Sequence, residues 1–364
     1  MANFCRDRKS STYLADCGGK ISTKASFAKA QQAEISGNAD IHPITVMGLW
    51  NAILGIPESP FQTPSLLFQI ITKPLHFILT NLHTILVQLR GTRKIRNKDA
   101  LKIVCISDTH CFIATIPEGD VLIHAGDLTK EGTVSEIQTQ LDWLDKLPHQ
   151  HIIVIAGNHD SYFDPRSRRP QDFDKKLDFK RIQYLQHSGI VLEFASKGDR
   201  KLMIYGSPQI PECGGEEHAF QYRRQDDAWS GTLPKDVDVL VTHTPPRWHL
   251  DLPGGIGCDF LLKEVWRVKP ELHVFGHVHA GHGNQTVYWD RAQEAYEKAM
   301  AKQGLFDPFK PTFWLDYLVA IIYDIIGIIW TRVWGSESQS TIMVNAAVVD
   351  YYGRLRHRPQ VIVI

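Results

Sequence analysis

Residues 101–127 read LKIVCISDTHCFIATIPEGDVLIHAGD, and one pattern occurs twice in that stretch: an apolar run that closes on a polar motif. The run 101–107 (LKIVCIS) ends at Asp108-Thr109-His110, and 121–125 (VLIHA) ends at Gly126-Asp127. Short runs rich in Ile and Val, without polar alternation, read as strands buried on both faces. A third run, 152–156 (IIVIA), leads into Gly157-Asn158-His159-Asp160. Between the second and third, 133–147 (TVSEIQTQLDWLDKL) sets Val134, Ile137, Leu141, Leu144 and Leu147 at helical spacing, and Pro148 follows. That is an amphipathic helix crossing between strands, so the class is α/β.

Further apolar runs follow at 202–205, 237–241, 272–275, 342–344 and 361–364. Two of them close on Thr242-His243-Thr244 and Gly276-His277-Val278-His279. The five motifs supply three oxygen donors (Asp108, Asp127, Asn158), four imidazoles (His110, His243, His277, His279) and a spare pair, His159 and Asp160. Divalent metals of intermediate hardness accept such mixed shells, and two ions close together need one carboxylate between them. Strand alternation is expected to put Asp108 and His110 on one side, and His277 and His279 on one face. Asp127 is the natural bridge. Gly126, Gly157 and Gly276 each precede a ligand at a strand end, where a sharp turn often needs positive φ. One such motif is weak evidence; five in order at strand ends are specific.

The chain has 364 residues, room for a large core, and a formal net charge of zero. No global field draws in nucleic acid, and no duplex binding is expected. The six cysteines are scattered without a CxxC pair, which suits a reduced, cytoplasmic protein. A sequon at Asn284 lies too near His279 to carry a glycan comfortably. Residues 1–62 read as a disordered leader, since Asp7, Asp16, Glu34 and Asp40 argue against a transit peptide. The catalytic domain is expected over 99–286 and 341–364.

Two segments stand outside that domain. Residues 63–98 form an apolar amphipathic helix broken once by Pro74 and flanked by Arg90, Arg93, Lys94, Arg96 and Lys98. Residues 287–340 form a helical insertion that turns strongly apolar over 313–334. Asp316 and Asp324 interrupt that run, and a mid-bilayer Asp costs about 2.5–3.5 kcal/mol, which disfavours a simple span. An interfacial helix, or a hairpin packed on the 64–90 segment, fits better. Membrane contact through 64–98 and 313–334 and plain extra cover for the domain both stay open.

The series DTH…GD…GNHD…THTPP…GHVH resembles the calcineurin-like metallophosphoesterase superfamily. The longer stretches GDVLIHAGDLT, IVIAGNHD and LHVFGHVHAG are most similar to its metallophosphoesterase-domain-containing, cyclic-nucleotide-phosphodiesterase-like group. The resemblance implies a four-layer α/β/β/α sandwich and a binuclear centre of Mn, Fe or Zn. Asp108, His110 and His279 would hold one ion, and Asn158, His243 and His277 the other, bridged by Asp127. It further implies attack by a metal-bound hydroxide, His159 as the acid and Asp160 orienting its ring. Asn158 and Arg224 are candidates for gripping a small phosphate ester. Nucleotide-type diesters are the first expectation. The alternatives are a phosphomonoesterase acting on protein or small molecules, and a membrane-docked metal-binding module with little turnover. His124 and His273, inside strands, read as core; His282 is a candidate for lining the pocket.

Overall fold

The computed structural model describes residues 54–91, 100–304, 306–335 and 338–364. The bulk of the leader, residues 1–53, and the basic residues Arg93, Lys94, Arg96 and Lys98 lie outside them.

Two helices come first, α1 (Leu66–Thr72) and α2 (Pro74–Arg90). The α/β core then begins with β1 (Lys102–Ile106), β2 (Val121–Ala125), α3 (Val134–Leu144) and β3 (His151–Ile155). It continues through β4 (Gln183–Tyr184), β5 (Ser188–Phe194), β6 (Arg200–Ser207), β7 (Ile210–Pro211), β8 (Gln221–Tyr222) and β9 (Val239–Thr242). Next come α4 (Asp259–Val268), β10 (Leu272–Phe275), β11 (Gly283–Tyr288), α5 (Arg291–Ala301) and α6 (Pro311–Trp334). Strands β12 (Ser340–Asn345) and β13 (Gln360–Val363) close the chain.

One sheet has the order β13-β1-β2-β3-β4, parallel except for β13. The other has the order β11-β12-β10-β9-β6-β5, with parallel strands at its centre and antiparallel β11 and β5 at its edges. The two sheets face each other across a dry layer that includes Ile103, Ile123, Ile153, Ile204, Val241 and Val274. On the outer face of the first sheet, Val104, Leu122 and Val154 pack on Ile137, Leu141 and Leu144 of α3. Behind the second, Leu240, Phe275 and Met343 pack on Leu261 and Val265 of α4. This is the four-layer α/β/β/α sandwich. Burial on both faces is why the strands lack polar alternation, and each enclosed Ile or Val contributes roughly 1.5–3 kcal/mol. Helix α3 starts where Thr133 and Glu136 form a reciprocal capping box. The four described cysteines are free thiols.

The two outlying segments pack on each other. Within the described part of the 63–98 stretch, α1 and α2 are separate helices, bent by 118° at Lys73-Pro74, because Pro74 cannot continue the hydrogen-bond ladder of α1. Helix α2 lies against α5 and α6, with Leu79, Tyr296, Ala299, Phe313, Tyr317 and Ala320 as their shared core. Strand β11 extends to Tyr288, so the insertion proper begins just after it. The acids of α6 turn inward: Asp324 Oδ2 meets His83 Nδ1 at 2.7 Å, and Asp316 pairs with Lys302. His83 Nε2 faces Gln293 Oε1, Gln293 donates to Glu297, and Glu297 meets both His249 and Trp266 Nε1. Arg90, expected in the basic flank, is buried instead. It pairs with Asp290 at 2.6 Å, donates to Ser338 and stacks over Tyr288 at 3.9 Å. Residues 54–62, assigned to the leader by sequence, run as turns to the edge of the metal centre.

Candidate metal centre

All seven predicted ligands meet at one end of the sandwich, where β1, β2, β3, β9 and β10 terminate. Their backbone differs from the expected one. Asp108 (φ +54°), His110 (φ +43°), Asp127 (φ +55°) and His277 (φ +64°) are all left-handed, a region that costs an L-residue about 1–2 kcal/mol. Asp108 and His110 therefore converge through a tight turn past β1, not by strand alternation. That turn is stitched by Asp108 N–H to Gly126 O (2.9 Å) and His110 N–H to Asp127 O (3.1 Å). His277 and His279 likewise point to different partners: His277 Nδ1 is 3.0 Å from Asn158 Oδ1, while His279 Nε2 is 3.2 Å from Asp108 Oδ1.

The glycines need a similar correction. Gly126 does take φ +95°, but Gly157 and Gly276 serve close approach. A Cβ on Gly157 would stand 2.2 Å from Asp127 Oδ1, and one on Gly276 2.2 Å from Asp108 Oδ2.

Donor atoms of Asp108, His110 and His279 lie within 4.8 Å of one another, as do those of Asp108, Asp127 and His243. Asp127 also joins His110 and His159 in a third such group, the position a bridging carboxylate takes. Asn158 Oδ1 stands 3.0 Å from both His243 Nε2 and His277 Nδ1. The chemistry of this donor set fits cations. His110, His243 and His279 each turn Nδ1 to a backbone carbonyl, of Thr129, Ala125 and Asp350 respectively. A carbonyl accepts only a proton, so Nδ1 is protonated in each and Nε2 is the atom turned to the cluster, where it offers a lone pair once the ring is neutral. His110 Nε2 and His279 Nε2 face each other at 3.3 Å, an approach a shared cation reconciles.

Electrostatics point the same way. Burial opposes ionisation of Asp108 and Asp127, yet His279 beside the first and His243 beside the second hold both carboxyls well below their usual range. Burial lowers His110 to about 4 and His277 to about 3, so both are neutral. Burial works against charging His243, but Asp127 raises it to about 9. Ionised carboxylates and neutral imidazoles are the ligand forms a divalent ion takes, and binding would release the proton of His243.

His159 stands beside the ligands, its ring centre 4.9 Å from that of His110. Asp160 does not orient it. The Asp160 carboxylate accepts from the N–H groups of Gly157, Leu128 and Thr129 and from Thr129 Oγ1, which ties the motif loops together. The ring of His159 is set by the Lys130 carbonyl, 2.9 Å from Nδ1. Arg224 touches no predicted ligand; its Nη1 donates to the carbonyls of Ile256 (3.0 Å) and Gly257 (3.1 Å). It lines a cavity of about 420 Å³ with Phe61, Cys213 and Arg247. His282 stacks on His357 at 4.3 Å, on the wall of a second cavity.

Other participants were not evident from sequence. His218 accepts from Asn158 Nδ2 at 3.0 Å, which turns Oδ1 toward the imidazoles, and its ring also meets His159. The Glu216-Glu217-His218 segment is the only signal in the sequence. Phe61 presents its edge to His277 at 5.8 Å. The core histidines brace the ligand turns in matching ways. His124 Nε2 meets Thr109 Oγ1 at 2.9 Å, and His273 Nε2 meets Thr242 Oγ1 at 2.8 Å. Each threonine directly adjoins a ligand.

Residues 101–281 match the sequence model of the calcineurin-like phosphoesterase family, and the five motifs fall within that span. The chain is 38% identical over 210 residues to UPF0046 protein K07C11.7 of Caenorhabditis elegans, covering 53% of this chain and 70% of that protein. It is 40% identical over 203 residues to human Metallophosphoesterase domain-containing protein 1, covering 50% of this chain and 61% of that one. A longer match, 37% identity over 280 residues, is to a protein of Emericella nidulans named "Probable rhamnogalacturonate lyase C"; it covers 75% of this chain and only 26% of that protein. With the ligand geometry above, these matches place the chain in the calcineurin-like phosphoesterase family, in the group of the metallophosphoesterase-domain-containing proteins.

Proposed function

We propose that this chain is a metal-dependent hydrolase of phosphate esters that prefers diesters. The observation that supports it most is the orientation of His110, His243 and His279, whose Nδ1–H groups are held by backbone carbonyls and whose Nε2 atoms converge on two ionised carboxylates. Asp108, His110 and His279 would hold one ion, Asn158, His243 and His277 the other, with Asp127 shared. Mn, Fe and Zn all suit this set. When bound, two such cations supply Lewis acidity toward phosphoryl oxygens and make water acidic enough to attack near neutral pH.

The chain's own residues do the rest. With Nδ1–H held by the Lys130 carbonyl, His159 keeps Nε2 for handing a proton to the departing oxygen. His218 fixes the rotamer of Asn158, and Asp160 holds the turn on which both Asn158 and His159 stand. The preference for diesters draws on two cavities of about 420 and 520 Å³ that share Pro60 and Ile256, a place for each arm of the ester. Phe61 and the mixed charges of the first, Arg224 and Glu212 beside the Arg247–Asp259 pair, suit a planar base or a polar group, so nucleotide-type diesters belong in any screen. Its free thiols accord with a reducing, cytoplasmic compartment.

The test is turnover of mono- and bis-aryl phosphates and cyclic nucleotides with Mn²⁺, Fe²⁺, Zn²⁺ or Mg²⁺. Faster cleavage of the bis-aryl ester, lost in Asp127→Asn, is expected. Equal rates for wild type and Asp127→Asn would overturn the proposal, and a preference for the mono-aryl ester would make the protein a phosphomonoesterase.

A further inference from the structure

Two features take no part in the chemistry above: the apolar character of the second cavity and the outward face of the helical cap. Between Trp314 and Trp330, every exposed residue of α6 is apolar, Leu315, Leu318, Ile322, Ile325 and Ile329 among them. The acids that break the hydropathy of this segment are paired inward, with His83 and Lys302. Indole rings mark both ends of the exposed run, as they do at the boundary between lipid and water. Helix α2 adds Ile78, Ile85 and Leu89 to the exposed apolar surface, and the segment 64–89 contains one charged side chain, Lys73. The sequence then turns basic at Arg93, Lys94, Arg96 and Lys98, which is complementary to anionic headgroups. Phe313, Tyr317, Ala320, Asp324 and Gly327 bury the opposite side of α6 in the cap, so the helix lies along the protein with its apolar side turned outward.

The second cavity runs under this cap. The elbow between α1 and α2 forms one wall through Phe68 and Phe77, and Leu252, Pro253 and Met300 form the other. Ala280 and Gly281, directly after His279, bring it to the metal centre. Its volume of about 520 Å³ lies in the range of small-molecule sites.

We propose that the protein rests on an anionic bilayer through α6 and the α1–α2 elbow, and that its substrate is a membrane lipid phosphodiester. An acyl chain occupies the apolar cavity and the polar head occupies the cavity of Arg224 and Arg247. This rests on the phosphodiesterase reading and names its substrate class. The leaving arm is the head. His159 adjoins His218, and His218 packs against Gly214 beside Cys213 on the wall of the polar cavity. The oxygen of water bonds to phosphorus and the P–O bond to the head breaks. His159 protonates the departing alcohol and regains a proton from the attacking water, whose other proton stays on the phosphate. The products are a lipid phosphate monoester and a free alcohol.

The test uses full-length, metal-loaded protein with phosphatidylcholine vesicles, with and without phosphatidylserine. Flotation, head-alcohol release and bis-aryl phosphate turnover are read in parallel, with glycerophosphocholine as the chainless control. Wild type is expected to float with the anionic vesicles, release the head alcohol and cleave the chainless ester at least about tenfold more slowly. The double variant Ile325→Glu/Ile329→Glu should lose flotation and vesicle cleavage and keep bis-aryl turnover. Gly254→Phe, whose added Cβ meets only Ile256 at 4.0 Å, should float and keep cleavage of glycerophosphocholine, which has no chain to place there, but lose vesicle cleavage at least about tenfold. Bis-aryl turnover without flotation, or with no preference for vesicle lipid over the chainless ester, overturns the lipid assignment and leaves the hydrolase intact. No turnover of any soluble ester with any metal overturns both.

Discussion

The metal centre and the helical cap both bury carboxylates against imidazoles, and they do so in opposite ways. In the cap the buried carboxylates and the groups that face them are matched. His83 joins Asp324 and Gln293, Gln293 joins Glu297, and Glu297 takes His249 and Trp266, so donors and acceptors close into a chain. In the centre, ligand atoms face ligand atoms: His110 Nε2 opposes His279 Nε2, and Asn158 Oδ1 stands between the ring nitrogens of His243 and His277. The Nδ1 atoms of His110, His243 and His279 are already committed to carbonyls. Burial and charge are thus shared by both regions. What marks the functional one is convergence of ligand atoms on a common point.

That contrast can be broken by mutation. His279→Ala removes a convergent donor and should lower bis-aryl phosphate turnover by about 10³-fold or more, with the cap unchanged by circular dichroism. A smaller loss would mean that the convergence is incidental. Asp324→Ala strands His83 in the cap and should cost about 3–5 kcal/mol in urea unfolding, with turnover of soluble esters intact. Loss of turnover at full folding would show the two regions to be coupled.

The smallest effect concerns the braces. Burial holds His124 and His273 neutral, each lowered to about 3, so between that value and the ordinary 6.5 the unfolded chain binds more protons than the folded one. Their stabilising effect is complete above pH 6.5 and is lost as pH falls toward 3. His273→Phe should flatten this acid loss of stability and weaken metal affinity by about 10-fold, through the Thr242 contact beside His243. An unchanged slope of stability against pH would remove His273 from the account.

The sandwich was legible because strands buried on both faces write continuous apolar runs, and the capping residue Thr133 announces its helix. The seven ligands were legible as a set through their order at strand ends. How they converge was not: alternation groups Asp108 with His110 correctly, but the structure does it with left-handed backbone. Asp160 looked like a partner of His159 because they are neighbours in sequence, whereas its hydrogen bonds go to the backbone amide of Gly157 in its own motif and to those of Leu128 and Thr129 after Gly126-Asp127. Arg90 read as a surface charge until Asp290 and Tyr288 came beside it from 200 residues away. Likewise Asp316 and Asp324 looked like defects in an apolar helix, since their partners belong to other elements. Contacts between distant segments leave no local pattern.

The docking of Arg90 also has a temporal side. Helix α2 leaves the ribosome long before α5 and α6, which bury Leu79, His83 and Arg90. These partners lie 200 or more positions downstream, so through most of synthesis this greasy helix has nothing native to rest on. A nascent chain in that condition is a client for chaperones or for any nearby apolar phase. The order of synthesis therefore exposes the cap's apolar strap first and covers it last.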